Sequence, residues 1–275
     1  MFDAGSRSEA PPRALGAVRV GVAARDGATR LADLAQSGSG KCMIPRLPGR
    51  IEAVLLNTAG GITGGDRFDW RAEAGAGATL TLATQTAERL YRAVPGTVGR
   101  VTTRLSAEPG ARLDWLAQET ILFDGCAVER RLEADIAADA TLTVVEPLVL
   151  GRAAMGETVR EGHFTDTWRI RRDGRLVFAE ATRLSGPVAE IAARPACWGG
   201  NRAAATLLQV GPEAEARLAP LRTALEATGI EGGASAWDGL LACRLLAPTG
   251  QALRAALLRL LPVLRPGPLP RVWTM

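Results

Sequence analysis

The chain has 275 residues with 47% hydrophobic content, enough to bury a sizeable core and too apolar for a disordered chain. The formal charge of +4 is dispersed: arginines alternate with acids, Lys41 is the sole lysine, and aromatics make up only 4%, so neither a basic block nor a stacking platform for nucleic acid is present. No apolar run nears the roughly 18 residues that span a bilayer, and the first residues, MFDAGSRSEAPPRA, lack a secretion signal, so a soluble cytoplasmic protein with no membrane partner is expected.

Residues 1–14 read as a flexible N-terminus, and residues 15–275 as one β-rich domain with a β body over about 15–186 and a mixed α/β portion over about 187–275. In the body, short alternating segments such as AVRVGVA, RIEAVLLN, ATLTLAT, RVTTRL, AVERRLEADI and RLVFAEATRL carry the period-2 pattern of strands. A turn residue followed by Ala and an x-Leu step recurs at Gly27-Ala28, Gly77-Ala78, Gly110-Ala111 and Asp139-Ala140. The last three lie about thirty residues apart, which predicts stacked units, either β-helix-like or layered antiparallel strands. After residue 187 the pattern predicts a helix over 212–228, kinked near Pro220, a strand over 237–247, and a final helix. That helix is capped by Thr249 and carries Leu253, Leu257, Leu260, Leu261 and Leu264 on one core-facing stripe.

Few side chains suit catalysis. The single histidine, His163, sits between Gly162 and Phe164 as an ordinary turn residue would, and the four cysteines are too far apart in sequence for a C-x-x-C zinc site, so buried reduced thiols are expected. Ser39-Gly40-Lys41-Cys42 fails as a phosphate loop, because Ala35 replaces the first Gly and Cys42 the hydroxyl that would meet magnesium. The stretch NTAGGITGGD, Asn57 to Asp66, is different. Gly60, Gly61, Gly64 and Gly65 permit two sharp turns that present Asp66, either as a cap for backbone amides or as an oxygen ligand for a weakly held divalent ion. Glu157, near Arg152 and Gly156, and Glu180, at the end of LVFAE, stand in comparable settings, and Arg152 with Glu157 is expected to form a buried ion pair.

Four motifs in order carry a resemblance: the Asn57 to Asp66 loop; Thr84-Gln85-Thr86-Ala87 with Tyr91-Arg92; Gln118-Glu119-Thr120-Ile121-Leu122-Phe123; and Gly151-Arg152-x-x-x-Gly156-Glu157. Together with the ending Leu269-Pro270-Arg271-Val272-Trp273, they resemble the urease accessory protein UreD (UreH) family, with departures at Glu88-Arg89 and Ala117. The resemblance implies a mainly β, β-helix-like fold with a few C-terminal helices. It also implies a non-enzymatic scaffold or chaperone that binds apo-urease and UreF, and through UreF the GTPase UreG, in GTP-dependent nickel insertion. No tightly bound cofactor is implied, only nickel in transit along a polar tunnel, with Asp66 and Glu180 as carboxylates on that path. Weak oxygen ligands suit transit, since tight His or Cys sites would trap the ion. The alternatives are a hydrolase using Asp66 with Glu157 or Glu180 as a carboxylate pair, and a β-rich binding module unrelated to nickel.

Overall fold

The computed structural model describes residues 12–274. Of the expected N-terminal segment, residues 1–11 lie outside the described residues; Ala14 is already tied to the body, its N–H donating to Asp66 Oδ1 at 2.8 Å and its carbonyl accepting from Arg67.

The chain opens with a hairpin of β1 (Leu15–Arg25) and β2 (Ala28–Gly38), then β3 (Gly40–Met43) and β4 (Ile51–Asn57). Three successive coils follow. The first contains β5 (Arg67–Ala74), β6 (Thr79–Thr84) and β7 (Glu88–Leu90); the second, β8 (Gly99–Ala107), β9 (Arg112–Leu116) and β10 (Thr120–Leu122). The third contains β11 (Ala127–Ile136) and β12 (Thr141–Leu150), whose final residues take the place of a short third strand by pairing with β10. A long hairpin, β13 (Glu161–Arg172) and β14 (Arg175–Pro187), closes this body.

Like strands stack on like. One sheet has the order β14-β13-β11-β8-β5-β1-β2, with β1, β5, β8, β11 and β13 all parallel and an antiparallel strand at each edge. The other runs β4, β6, β9 and β12 in parallel. The stacked, β-helix-like expectation therefore describes the body, with parallel coils rather than layered antiparallel strands. The repeat has a physical basis: Ala78, Ala111 and Ala140 are fully buried one above another at the coil corner, with Arg112 N–H bonding Ala78 carbonyl and Thr141 N–H bonding Ala111 carbonyl. The following Leu80, Leu113 and Leu142 form a column of 0% exposure between the sheets, each contributing about 1.5–3 kcal/mol by burial. The fourth copy, Gly27-Ala28, belongs instead to the β1–β2 hairpin turn, where Leu31 is exposed.

The portion after Pro187 adds a third layer. Helix α1 (Val188–Ala193) leads to β15 (Ala203–Val210), then α2 (Leu218–Glu226), β16 (Glu231–Trp237), β17 (Leu240–Ala247), α3 (Gly250–Leu264) and α4 (Arg271–Thr274). Strands β15, β17 and β16 extend the second sheet beyond β12, and α2, α3 and α4 cover that sheet's outer face, whereas α1 packs against β13 and β14 of the first sheet. Two expectations change here. Residues 237–247 contain a hairpin turn at Asp238-Gly239, with β16 preceding it, rather than one strand. The helix over 212–228 is a short 3₁₀ turn followed by α2, unkinked because Pro220 falls in the first turn, where no amide donor is required. The final helix is as read: Thr249 Oγ1 accepts from Ala252 N–H at 3.1 Å, and all five stripe leucines are fully buried.

Candidate functional site

The resemblance motifs meet at one end of the coils. Their apolar members stack as a third face, Ile62 beside Leu90, Leu90 beside Leu122 and Leu122 beside Leu150, all buried. This face is where each coil returns from the second sheet to the first. The Asn57 loop closes it: Asn57 Nδ2 donates to Gly61 carbonyl and to Glu88, Tyr91 O–H donates to Gly60 carbonyl, and Tyr91 N–H to Ile62 carbonyl. Gly61 has φ of 154° and lies so near the Tyr91 ring that a Cβ would collide with it. Thr84 and Gln85 sit behind: Thr84 Oγ1 accepts from Gln118 N–H, while Gln118 Nε2 donates to the carbonyls of Thr84, Gln85 and Val272, locking the C-terminal tail onto the motif face.

Asp66 is buried, and both its oxygens are occupied: Oδ1 by Ala14 N–H and Oδ2 by Thr63 N–H, each at 2.8 Å. Arg152 and Glu157 pair at 2.7 Å, but at the surface, with the Arg152 side chain 49% exposed; the expected burial fails because the loop carrying them projects beyond the coil. Glu180 lies elsewhere, bridging the two sheets by accepting from Thr206 Oγ1 at 2.9 Å and Arg244 at 2.8 Å. The structure thus leaves Asp66, Glu157 and Glu180 with separate partners and no shared hydrogen bond.

Between the sheets lie two cavities that meet at Glu146, where the resemblance implied a polar tunnel, although sequence reasoning named neither Arg130, Glu146 nor Asp166. A narrow cavity of about 100 Å³ opens beside Asn57, Gly60, Thr86 and Glu88 and reaches inward past Thr120 to Arg130 and Glu146. A wider cavity of about 640 Å³ continues from Glu146 and Asp166 to Glu180, Thr206, Arg244 and Glu231. Glu146 lines both. At the junction, Arg130 donates to Thr120 Oγ1, to Glu146 Oε2 at 2.5 Å and to Asp166 Oδ2 at 2.6 Å, while Trp115 Nε1 donates to Glu146 and Trp168 Nε1 to Asp166. Asp166 Oδ1 and Arg130 Nε have no protein partner although buried.

Burial pushes the Glu146 carboxyl up to about 7 despite the opposing pull of Arg130. For Arg130, burial acts to lower the pKa, but Asp166 and Glu146 together outweigh it and hold the guanidinium charged. Glu88 at the mouth is likewise raised by burial, opposed by its hydrogen bond from Asn57. The signal for these residues was in the sequence. Val128-x-Arg130-x-Leu132 and Phe164-x-Asp166-x-Trp168 place a charge in phase with the buried side of an alternating strand, and Glu146 interrupts the apolar run of β12.

The remaining candidates are quieter. His163 is partly exposed, its Nδ1 3.1 Å from Ser185 Oγ. Cys42, Cys126 and Cys243 are buried, with their thiols pushed up by burial to about 11, 12 and 12, whereas Cys197 is exposed, contrary to the expectation for all four. Among the described residues no helix is long and apolar enough to cross a membrane, and no cluster of three or more His, Cys, Asp or Glu converges as a metal cage.

The family model described as UreD urease accessory protein matches residues 14–274. The chain belongs to the UreD family. Curated UreD relatives agree along nearly the whole length. A urease accessory protein UreD of Xanthobacter autotrophicus is 52% identical over 261 residues, 95% of this chain and 90% of that relative. One of Methylobacterium sp. is 53% identical over 253 residues, 90% and 89% of the two chains. One of Rhizobium leguminosarum bv. trifolii is 50% identical over 267 residues, 96% and 97%. The UreD match begins at the residue whose N–H meets Asp66 and ends with the buried tail, so it spans the motif face, the passage and the helical layer together.

Proposed function

We infer that this chain is a non-catalytic scaffold in urease maturation that acts in GTP-dependent nickel insertion into apo-urease, with UreF and, through UreF, UreG. The observation that carries this reading is the UreD family match over residues 14–274. The urease accessory role for which the relatives are named supports the coarser part, work alongside urease and other accessory proteins.

The passage supports the finer part. Its oxygen donors, Glu88 at the mouth, Glu146 and Asp166 midway and Glu180 at the wide end, form a series that suits weak, sequential contact with a divalent ion rather than storage. Among these, Asp166 Oδ1 is a buried acceptor without a protein donor. Asp66 lines neither cavity and fixes the mouth loop through its two amides, whereas Glu180 lines the wide cavity and is the better of the two expected residues for transient nickel. The hydrolase reading is weaker, because Asp66, Glu157 and Glu180 each bond separate partners and form no carboxylate pair.

Cells co-expressing urease subunits and the other accessory chains, with and without this chain, test the proposal. Urease is expected to carry nickel only with it. Active, nickel-loaded urease in its absence would overturn the reading.

A further inference from the structure

One cluster lies outside the passage. Beside the motif face is a shallow basin of about 710 Å³ floored by Tyr91 and Phe123 and walled by Arg92, Arg152 and Arg160. The aromatic floor is rigid. Tyr91 packs edge-on against Phe123 with ring centroids 5.2 Å apart, and the Arg152 guanidinium stacks 4.4 Å above the Phe123 ring.

The charges in the basin are not balanced outward. Its two acids, Asp124 and Glu157, have side chains only 14% and 13% exposed and are committed inward. Asp124 Oδ1 accepts from the amides of Arg160 and Glu161, and its Oδ2 from Arg92; Glu157 accepts from the amides of Asp124 and Arg152 and from Arg152 Nε. Both carboxyls are held below the usual carboxylate range, Asp124 chiefly by the Glu161 amide and Glu157 chiefly by the Arg152 side chain. The three guanidiniums stand outside them, with Arg92 67% and Arg160 80% exposed. Arg92 spends one donor on Asp124, and Arg160 reaches the same carboxylate only at 3.7 Å. Most of their N–H donors therefore face solvent, around an aromatic floor with Val94 and Met155 exposed nearby in sequence.

We propose that this basin docks an acidic segment of a protein partner, its carboxylates taken by Arg92, Arg152 and Arg160 and a neighbouring apolar side chain laid on the exposed Tyr91. Charge complementarity selects the occupant. A free phosphate would seek a cradle of backbone amides, and here Asp124 and Glu157 already consume the amides that line the basin. An extended segment needs no such cradle, because several guanidinium forks and an apolar floor engage it at once. Arg, Tyr and Met are also the residue types enriched at protein interfaces. The inference rests on the partner-binding part of the UreD reading and is independent of nickel transit.

The test uses the full chain and an array of synthetic 15-residue peptides tiling the acidic segments of urease and accessory chains from the same organism, with binding measured by fluorescence anisotropy. Arg92→Glu with Arg160→Glu changes two exposed side chains and should leave the melting temperature close to that of the parent. Peptides with Asp or Glu beside an aromatic or aliphatic residue should bind the parent, weaken with salt, and lose about tenfold or more in affinity to the double variant or on conversion of their acids to amides. Equal binding by the double variant, indifference to amide conversion, or complete displacement by equimolar orthophosphate would overturn the proposal. Glu180→Gln should bind the same peptides as the parent, so failure of the nickel reading and failure of this one are separately visible.

Discussion

Replacing Arg130 by Met tests the buried cluster that joins the two cavities. The substitution keeps length and removes the only positive charge among the described residues that is hydrogen-bonded to Glu146 and Asp166, leaving two buried carboxyls without it. Breaking a buried pair by deleting one partner costs about 3–5 kcal/mol, a large share of the roughly 5–15 kcal/mol that holds a domain folded. The loss depends on pH, and its sign follows from linkage. In the parent, Glu146 has a folded pKa raised to about 7 from 4.5, so the folded state binds the extra proton. The resulting stabilisation is complete below about pH 4.5 and is lost, by at most about 1.4 kcal/mol per pH unit, as pH rises through 7. Without Arg130 the charge that favours the ionised Glu146 is gone, so the penalty should be small at pH 5 and full at pH 8. Urea unfolding followed by tryptophan fluorescence measures this directly, because Trp115 and Trp168 donate to the two acids. The neutral triple variant Arg130→Met, Glu146→Gln, Asp166→Asn should recover most of the loss. A deficit below about 1 kcal/mol at pH 8, or one equal at both pH values, would show that the guanidinium is not what stabilises the buried acids.

Three further outcomes are expected. Asp66→Ala strands the part-buried amides of Ala14 and Thr63 and should cost about 1–3 kcal/mol for each left without a partner; an unchanged melting temperature with reduced urease nickel would make the carboxylate a ligand rather than a cap. Glu180→Gln retains an acceptor for Thr206 and weakens only the pair with the mostly exposed Arg244, so the fold should persist while nickel occupancy of co-expressed urease falls; full occupancy would remove Glu180 from the path. Leu257→Asp with Leu261→Asp places two charges in the core between α3 and the second sheet, and should abolish soluble protein on expression; a folded, soluble double variant would mean that this stripe does not face the core.

The β body was legible because alternation reports which side of a strand is buried, and the small corner residues Ala78, Ala111 and Ala140 repeat at the buried coil corner. The antiparallel hairpins were legible too, though less fully used. Asp26-Gly27, Asp173-Gly174 and Asp238-Gly239 all adopt the positive φ pairs of tight hairpin turns, yet the last was read as strand interior. β15, AAATLLQV, escaped because it is apolar on both faces: one side meets the space between the sheets and the other the helices, so period-2 alternation vanishes.

The charged cluster of the passage was illegible for a different reason. Phase alone says that Arg130 and Asp166 point inward, but not that they meet. In a stack of parallel coils neighbours are set by register, which advances from Arg67 to Arg100, Glu129 and Thr165 in unequal steps because the corner loops differ in length. That register places Arg130 opposite Asp166 on adjacent strands, and the second sheet brings Glu146 across the gap to complete the triad. A charge on the inner face of a coil is expensive unless a later coil returns an opposite one at the same height. An inward charge therefore implies a distant partner before the partner is known. By the same logic Asp114, in phase with the helical side of β9, required Arg265 from just beyond α3, and the two meet at 2.9 Å.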